Sequence, residues 1–293
     1  MSSADVAGGR GAAVPTWRAW LQMARVSNTP TTVADTVAGA VLVSTAAAAG
    51  TVALVAVAIA LFYTAGMILN DVLDEAVDRV ERPERPLPSG QIARRAAIGA
   101  VAGLFVAGEA LLIVASLEAA LAGLALIGLI VLYDAWHKGN VLSPVLMAGC
   151  RALVYVVAGL AVAGALNSEL WGAAGVLLVY VVGLTQVAKA EGSGIAARWP
   201  VVAVLLPAAY WAKELPSLEV ALPLAAFLVW ALYALWLVLA KRRIGPGVVR
   251  LIAGIALYDA LVVAAAGGSA AAVAVCLAAF AATIALQTKI AGT

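Results

Sequence analysis

The sequence predicts an all-α polytopic membrane protein, a bundle of nine or ten transmembrane helices, and three observations support this prediction. Of the 293 residues, 65% are hydrophobic and only 12% are charged. The mean hydropathy is +1.04. The apolar residues form stretches of about 20, which is the length that crosses a bilayer as a helix. A soluble domain of this length is excluded because too few polar residues are available to cover its surface.

The apolar stretches follow one another along most of the chain. The last two are separated only by the short segment 267–269, so nine spans and ten spans both remain open. We expect residues 1–16 to form a cytoplasmic N-terminal tail and residues 17–293 to form a single membrane domain. The predicted spans are 18–43, 51–70, 94–116, 119–134, 143–166, 169–189, 199–213, 220–240, 248–266 and 270–288.

Lysine and arginine lie almost entirely on one side of the predicted bundle. If the N-terminus is inside, the opposite loops hold one basic residue, Lys213, and the inner segments hold nearly all the others. Basic residues are retained on the cytoplasmic side of a membrane. We therefore expect an integral, multi-pass protein of a bacterial-type inner or plasma membrane. Its N-terminus and its loops 71–93 and 189–198 are predicted to face the cytoplasm.

Four polar residues after the second span share one helix face. In the segment "NDVLDEAVD", Asn70, Asp74 and Asp78 advance by about 40° at each step, and Asp71 lies within the same arc of roughly 100°. Carboxylates at this spacing repel one another unless a cation neutralises them. Hard oxygen ligands of this kind suit Mg²⁺, which also binds phosphate oxygens. Three nearby acids fall outside the pattern and are predicted to be solvated: Glu75, Glu81 and Glu84.

Arginines follow these acids directly, in the segment "RVERPERPLPSG". Arginine binds phosphate oxygens well through its forked guanidinium, and the three prolines of this segment end the helix and stiffen the loop. Metal-binding acids followed by phosphate-binding arginines indicate a diphosphate site for a substrate with a lipid tail. The alternative is a solvated helix end beside arginines that only anchor the chain at the membrane surface.

These two segments resemble the UbiA superfamily of intramembrane prenyltransferases, whose second helix carries N-D-x-x-D-x-x-x-D and whose following loop ends in R-P-L-P-S-G. The segments "RPERPLPSG", "YDAWHK" and "MAGCRAL" resemble its EboC-like branch. The resemblance implies a helical bundle with a central cavity open to the cytoplasmic side, Mg²⁺ as cofactor and an isoprenyl diphosphate as substrate. By motif position it assigns residues to the metal ions, namely Asn70, Asp71, Asp74 and Asp78, and to the diphosphate, namely Arg82 and Arg85.

The chain departs from this family in the loop after the sixth predicted span. The family has a second acidic motif there, whereas this chain reads "TQVAKAEGSGIAARWP" with Glu191 as its only acid. Glu191 is the one metal ligand that this loop can offer, and Lys189 and Arg198 are candidates to contact the diphosphate directly. The alternative is a relative that has lost catalysis and only binds prenyl lipids.

Other polar residues are predicted to complete the site. Lys138 follows the fourth span and is a candidate diphosphate ligand. Lys138, Asp74 and Asp78 are the predicted catalytic residues. His137 is expected to be a solvated loop residue. Arg151 could pair with Asp134 or with a phosphate. Four residues are predicted to line the substrate pocket: Arg25, Asn28, Tyr133 and Tyr180.

The predicted activity is Mg²⁺-dependent transfer of a prenyl group from an isoprenyl diphosphate to a small acceptor, which is expected to be aromatic or quinone-type. The partners are therefore these two substrates and the lipid bilayer, with no nucleic acid. Two alternatives stay open. One is a cyclase or lyase that ionises the diphosphate without any acceptor, and the other is a transporter, for which matching broken helices in two halves are missing from the sequence.

Overall fold

A computed structural model describes residues 16–189, 199–215 and 217–290, and in these ranges the regular structure is helical throughout. Eleven α-helices follow one another, with short 3₁₀ turns at Val26–Asn28 and Ala212–Glu214. The α-helices are α1 Thr16–Met23, α2 Thr29–Val43, α3 Ala49–Glu81, α4 Arg94–Ala115, α5 Leu117–Trp136, α6 Ser143–Ala163, α7 Ser168–Lys189, α8 Trp199–Trp211, α9 Leu218–Leu239, α10 Ile244–Ala265 and α11 Ala270–Gln287.

The predicted helical membrane fold is confirmed, and each of the ten predicted spans overlaps one of the helices α2 to α11. Within the described ranges, eight helices are long and apolar enough to cross a membrane: α3 to α7 and α9 to α11. The other two, α2 with 15 residues and α8 with 13, are shorter. The count of nine or ten spans is therefore approximate. Residues 1–15 lie outside the described ranges, so the division into a tail and a single domain stays a prediction.

The first predicted span, 18–43, is broken into two helices. Arg25 adopts a left-handed conformation with φ 42°, and Pro30 stands in the first turn of α2. Because proline has no N–H and its ring clashes with the preceding turn, it is favoured in the first turn of a helix and disfavoured in the interior. The break separates α1 from α2 and places Arg25 at the corner between them.

Helix α10 lies at the centre of the bundle. In its most apolar 18-residue stretch 72% of the residues are buried, whereas the corresponding value for α11 is 17%. It packs against α9, α11, α2 and α7, and α2 in turn packs against α6 and α3. The α2–α6 contact depends on Gly39, because a Cβ there would lie 2.7 Å from backbone atoms of Tyr155. Polar residues that these helices carry inward are therefore sealed from water.

A second, smaller apolar cluster holds α1, the end of α3, the loop after it and the start of α4 together. Leu87 and Ile92 from the loop are buried, at 5% and 4% exposure, against Ile68 and Val72 of α3. Burying these side chains favours one loop position by roughly 1.5–3 kcal/mol for each side chain. The cluster fixes the loop against α3, and this determines where its arginines lie.

Candidate active site

The acidic face of α3 consists of Asn70, Asp71, Asp74 and Asp78, and the structure places all four on one continuous helix, as the spacing predicts. Asn70, Asp71 and Asp78 are buried, with exposures of 8%, 7% and 5%. The side chain of Asp74 is 14% exposed. Three carboxylates this close together and this far from water require nearby positive charge, because each ionised group loses its hydration.

Two arginines from different parts of the chain supply part of that charge. Arg85, in the loop after α3, lies 2.8 Å from Asp78 Oδ2 and 3.4 Å from Asp71 Oδ1. Arg25, at the corner between α1 and α2, lies 3.3 Å from Asp71 Oδ1 and 3.4 Å from Asn70 Oδ1. Arg85 lies beside the acids, as its place in the loop after α3 predicts. Arg25, which was predicted only to line the substrate pocket, also faces the carboxylates that the sequence assigns to the metal.

The end of α5 supplies the charge beside Asp74. Lys138 Nζ lies 2.6 Å from Asp74 Oδ1, and His137 Nε2 lies 3.5 Å from Asp74 Oδ2. His137 Nδ1 lies 3.0 Å from the carbonyl oxygen of Asp134. A carbonyl and a carboxylate both accept hydrogen bonds, so these surroundings favour the protonated imidazole, in which both ring nitrogens donate. Accordingly, the interaction with Asp74 raises the pKa of His137 above its usual value.

The prediction that His137 is a solvated loop residue is therefore wrong. Its side chain is 18% exposed, and its ring stacks on Tyr133 with 5.3 Å between centroids. Tyr133, which was predicted to line the substrate pocket, thus lies beside the acidic face. The spacing of residues 133, 134, 137 and 138 could have predicted this position. It places all four on one side of the helix end and the turn that follows it.

Asp134 is the residue of this site that sequence reasoning did not select. It is 4% exposed, and its Oδ1 accepts a 3.2 Å hydrogen bond from Asn70 Nδ2. Its Oδ2 is buried and has no hydrogen-bond partner in the described part of the chain. Asp134 therefore adds a fourth carboxyl group beside the acidic face, from a different helix.

Glu75 is also placed differently from the prediction that it is solvated. It is 7% exposed, and its two carboxylate oxygens lie 2.6 Å from Arg79 and 2.6 Å from Arg94. Arg94 also donates to the carbonyl of Val72. Because Arg94 begins α4, these bonds tie the end of α3 to α4. Glu75 stabilises the position of the acidic face without belonging to it.

Arg151 pairs with Asp35 of α2, rather than with Asp134 as the sequence suggested. Its other terminal nitrogen donates to Thr31 Oγ1 at 2.8 Å. Asp35 also interacts with Asp259 of α10, and Tyr155 donates a 2.6 Å hydrogen bond to Asp259. The guanidinium of Arg151 and the carboxyl groups of Asp35 and Asp259 have no net charge when the two acids hold one proton between them. This buried network joins α2, α6 and α10.

The remaining predicted site residues lie in other surroundings. Arg82 is exposed and forms no ion pair with a described residue. Lys189 donates to Ser143 Oγ at 2.7 Å, at the start of α6.

Asn28 is buried and accepts a 3.0 Å hydrogen bond from Gln287. Tyr180 is fully buried and donates to the carbonyl of Leu251. Glu191 and Arg198 lie outside the described residues.

An apolar groove of about 490 Å³ lies between α1, α3 and α4. Trp20, Thr64, Ile68 and Leu104 are among the residues that line it. None of the residues that line the groove belongs to the acidic face, and Thr64 lies about two helical turns before Asp71 along α3. The groove is therefore separate from the candidate active site.

The donors of the acidic face fit Mg²⁺ in their chemistry. They are hard oxygens from one helix, and the unpartnered Asp134 Oδ2 lies next to them. In the ranges that the structure covers, no three His, Cys, Asp or Glu residues already surround a point where an ion would bind. Each α3 carboxylate instead faces a basic side chain, so ion binding requires those side chains to turn toward another anion.

Comparison with known proteins agrees with this geometry. The sequence model of the UbiA prenyltransferase family matches residues 28–265. A stretch of 117 residues is 34% identical to a digeranylgeranylglyceryl phosphate synthase of Sulfolobus acidocaldarius, covering 40% of this chain and 42% of that protein. A stretch of 58 residues is 45% identical to the synthase of Methanoculleus marisnigri, covering 20% of this chain and 21% of that one. The matched stretches thus span only about a fifth to two fifths of these relatives.

The likeness to solved structures extends over most of the bundle. A structure of a digeranylgeranylglyceryl phosphate synthase in membranes matches with a TM-score of 0.61 and 18% identity, covering 87% of this chain and 99% of that one. A UbiA homolog from Archaeoglobus fulgidus bound to GPP and Mg²⁺ matches with a TM-score of 0.58 and 15% identity, covering 83% and 99%. At these identities the likeness shows a shared fold.

Proposed function

The chain belongs to the UbiA prenyltransferase family, and from this premise we propose that it is a Mg²⁺-dependent intramembrane prenyltransferase acting on an isoprenyl diphosphate. One observation carries the proposal. A buried face of hard oxygen donors on α3 meets cationic side chains from the α1–α2 corner, from the loop after α3 and from the end of α5. Such a set can hold divalent cations and a diphosphate together at one end of an apolar bundle.

Asn70, Asp71, Asp74 and Asp78 would hold Mg²⁺. When bound, the ion neutralises the diphosphate and makes it a better leaving group. Asp74 faces Lys138 and His137, and Asp71 and Asp78 face Arg25 and Arg85. The carboxylates thus keep these cations in reach of an arriving diphosphate.

The cationic side chains would bind and orient the diphosphate. Lys138, Arg85 and Arg25 now lie 2.6–3.4 Å from carboxylate oxygens, and each can turn to a phosphate oxygen at a similar distance. Cleavage of the C–O bond leaves an allylic cation at the prenyl carbon and the electron pair on the diphosphate. The helices around it exclude water and so limit its hydrolysis. Roles in diphosphate binding for Arg82, Arg151, Lys189 and Arg198 remain predictions from the sequence.

The acceptor is the second substrate, and two chemical classes are proposed for it. The sequence predicts a small aromatic or quinone-type acceptor. The relatives are named for digeranylgeranylglyceryl phosphate, which favours a glyceryl phosphate instead. The basic residues beside the acidic face are suited to a phosphate on the acceptor as well as on the donor. The distribution of lysine and arginine supports a site that opens on the cytoplasmic side.

The test is diphosphate release by the purified protein from geranyl, farnesyl and geranylgeranyl diphosphate, with and without Mg²⁺. We expect Mg²⁺-dependent release that Asp74→Asn abolishes. Glu81→Gln is the matched control, because Glu81 is an exposed acid at the end of the same helix. Prenylated product with either a quinol or a glyceryl phosphate acceptor would identify the acceptor class, and hydrocarbon without any acceptor would indicate the cyclase. The proposal would be refuted if diphosphate release were the same with and without Mg²⁺ and were unchanged in Asp74→Asn.

A further inference from the structure

The Asp134 carboxyl group is buried, and one of its oxygens has no partner in the described chain. It projects from the last turn of α5, and only one of its two oxygens is hydrogen-bonded, to Asn70 Nδ2 at 3.2 Å. The other oxygen, Oδ2, is inaccessible and has no partner among the residues described. Buried carboxylate oxygens are normally paired, and an unpaired one indicates a missing donor or cation.

The hydrogen bond to Asn70 directs this carboxyl group at the acidic face. Because Nδ2 of Asn70 donates to Asp134, the amide oxygen of Asn70 is left to face Arg25, 3.4 Å away. The Asp134 carboxyl also lies within electrostatic range of Asp74 and His137. The Asp134 carboxyl group therefore lies against Asn70 and near Asp74, two of the residues proposed to hold Mg²⁺.

Helix α5 already reaches the same carboxylates through its following residues. His137 and Lys138 come three and four residues after Asp134, directly after the end of α5, and both of them contact Asp74. These contacts hold the end of α5 against α3. An additional ligand from α5 thus requires no rearrangement of helices.

We propose that Asp134 is an additional ligand of the Mg²⁺ site, contributing a carboxylate from α5 to the donors of α3. The proposal rests on the proposed function. The sequence gives it a further reason, since the loop 189–198 contains Glu191 as its only acid, and among the described residues the other proposed ligands all lie on α3. Asp134 raises the number of carboxylates and places one of them on a second helix.

A different role for Asp134 would be to orient Asn70 without touching the ion. Asp134→Asn separates the two roles, because asparagine keeps an oxygen that can accept from Asn70 but loses the negative charge. Asp134→Ala removes both. A positioning residue would leave Asp134→Asn close to wild type and weaken only Asp134→Ala, whereas a ligand weakens both.

The experiment is a Mn²⁺ titration followed by electron paramagnetic resonance, with and without inorganic diphosphate. We expect Asp134→Asn to bind Mn²⁺ at least about tenfold more weakly than wild type, since even residues that only support metal ligands change affinity by 10–100-fold. Glu109→Gln is the matched control, because Glu109 of α4 also has a buried oxygen without a partner in the described chain and lies near Gly123, about three turns before Asp134 along α5. Its Mn²⁺ affinity should stay at the wild-type value.

Each outcome decides the proposal. Wild-type affinity in Asp134→Asn overturns it and leaves the proposed function standing, whereas the absence of Mn²⁺ binding by wild type overturns both. A Mn²⁺-soaked crystal of the wild-type protein gives a second measurement that needs no variant. An anomalous peak within about 2.5 Å of an Asp134 oxygen supports the proposal, and a peak near α3 that is farther from both oxygens contradicts it.

Discussion

Replacing Arg151 with methionine removes the one positive charge that the structure places beside two buried acids. Arg151 pairs with Asp35, which is fully buried, and donates to Thr31. Methionine keeps an unbranched apolar side chain of similar length and cannot form either bond. The substitution therefore leaves Asp35 without its counter-charge in the middle of the bundle.

The expected loss follows from the burial of both partners. The side chain of Asp35 has 0% exposure and that of Arg151 has 12%, so solvent screens the pair little. Removing one member of a buried ion pair costs about 3–5 kcal/mol in the free energy of unfolding, because the remaining charge is unpaired. The double variant Arg151→Met, Asp35→Asn removes both charges, and we expect it to recover most of this loss.

The assay is equilibrium unfolding by SDS in mixed micelles, followed by tryptophan fluorescence, with diphosphate release measured on the same samples. Lys213→Met is the control, because Lys213 forms an exposed pair with Glu214 at 3.8 Å, a type of pair worth about 0–1 kcal/mol. The reasoning is refuted if Arg151→Met unfolds like wild type yet releases no diphosphate. Arg151 would then bind the substrate, as the sequence predicts.

Three further predictions concern other contacts. Arg85→Met should raise the KM for isoprenyl diphosphate by about tenfold or more because Arg85 contacts the acidic face. Arg82, which the sequence also assigns to the diphosphate, is exposed, so Arg82→Met should raise the KM less; equal effects in steady-state kinetics would contradict this. Gly39→Ala should lower the free energy of unfolding by about 1–3 kcal/mol through contact with the α6 backbone, while Gly128→Ala, which has open space, should be neutral or stabilising in the SDS assay. Tyr155→Phe should cost about 1–3 kcal/mol because it leaves a buried carboxyl oxygen of α10 unpaired, and wild-type stability would show that this hydrogen bond contributes nothing.

Features that depend on local periodicity were predictable from the sequence. The apolar stretches predicted the helices because a membrane span needs a long apolar run and satisfies its backbone internally. The placement of Asn70, Asp71, Asp74 and Asp78 on one face followed from the 3.6-residue repeat alone. The break before α2 could also be seen in the sequence, because Pro30 is favoured in the first turn of a helix, yet the predicted span 18–43 ran across it.

The sequence by itself determined the fold class, the acidic face and the arginine-bearing loop beside it. The tertiary structure decided which partner each charged group meets. Asp134 and Asn70 are 64 residues apart, and Arg151 and Asp35 are 116 apart, so no local pattern connects them. Such pairs form only when helices pack and exclude water, because a buried charge must then find whichever opposite charge or hydrogen-bond partner the neighbouring helix presents.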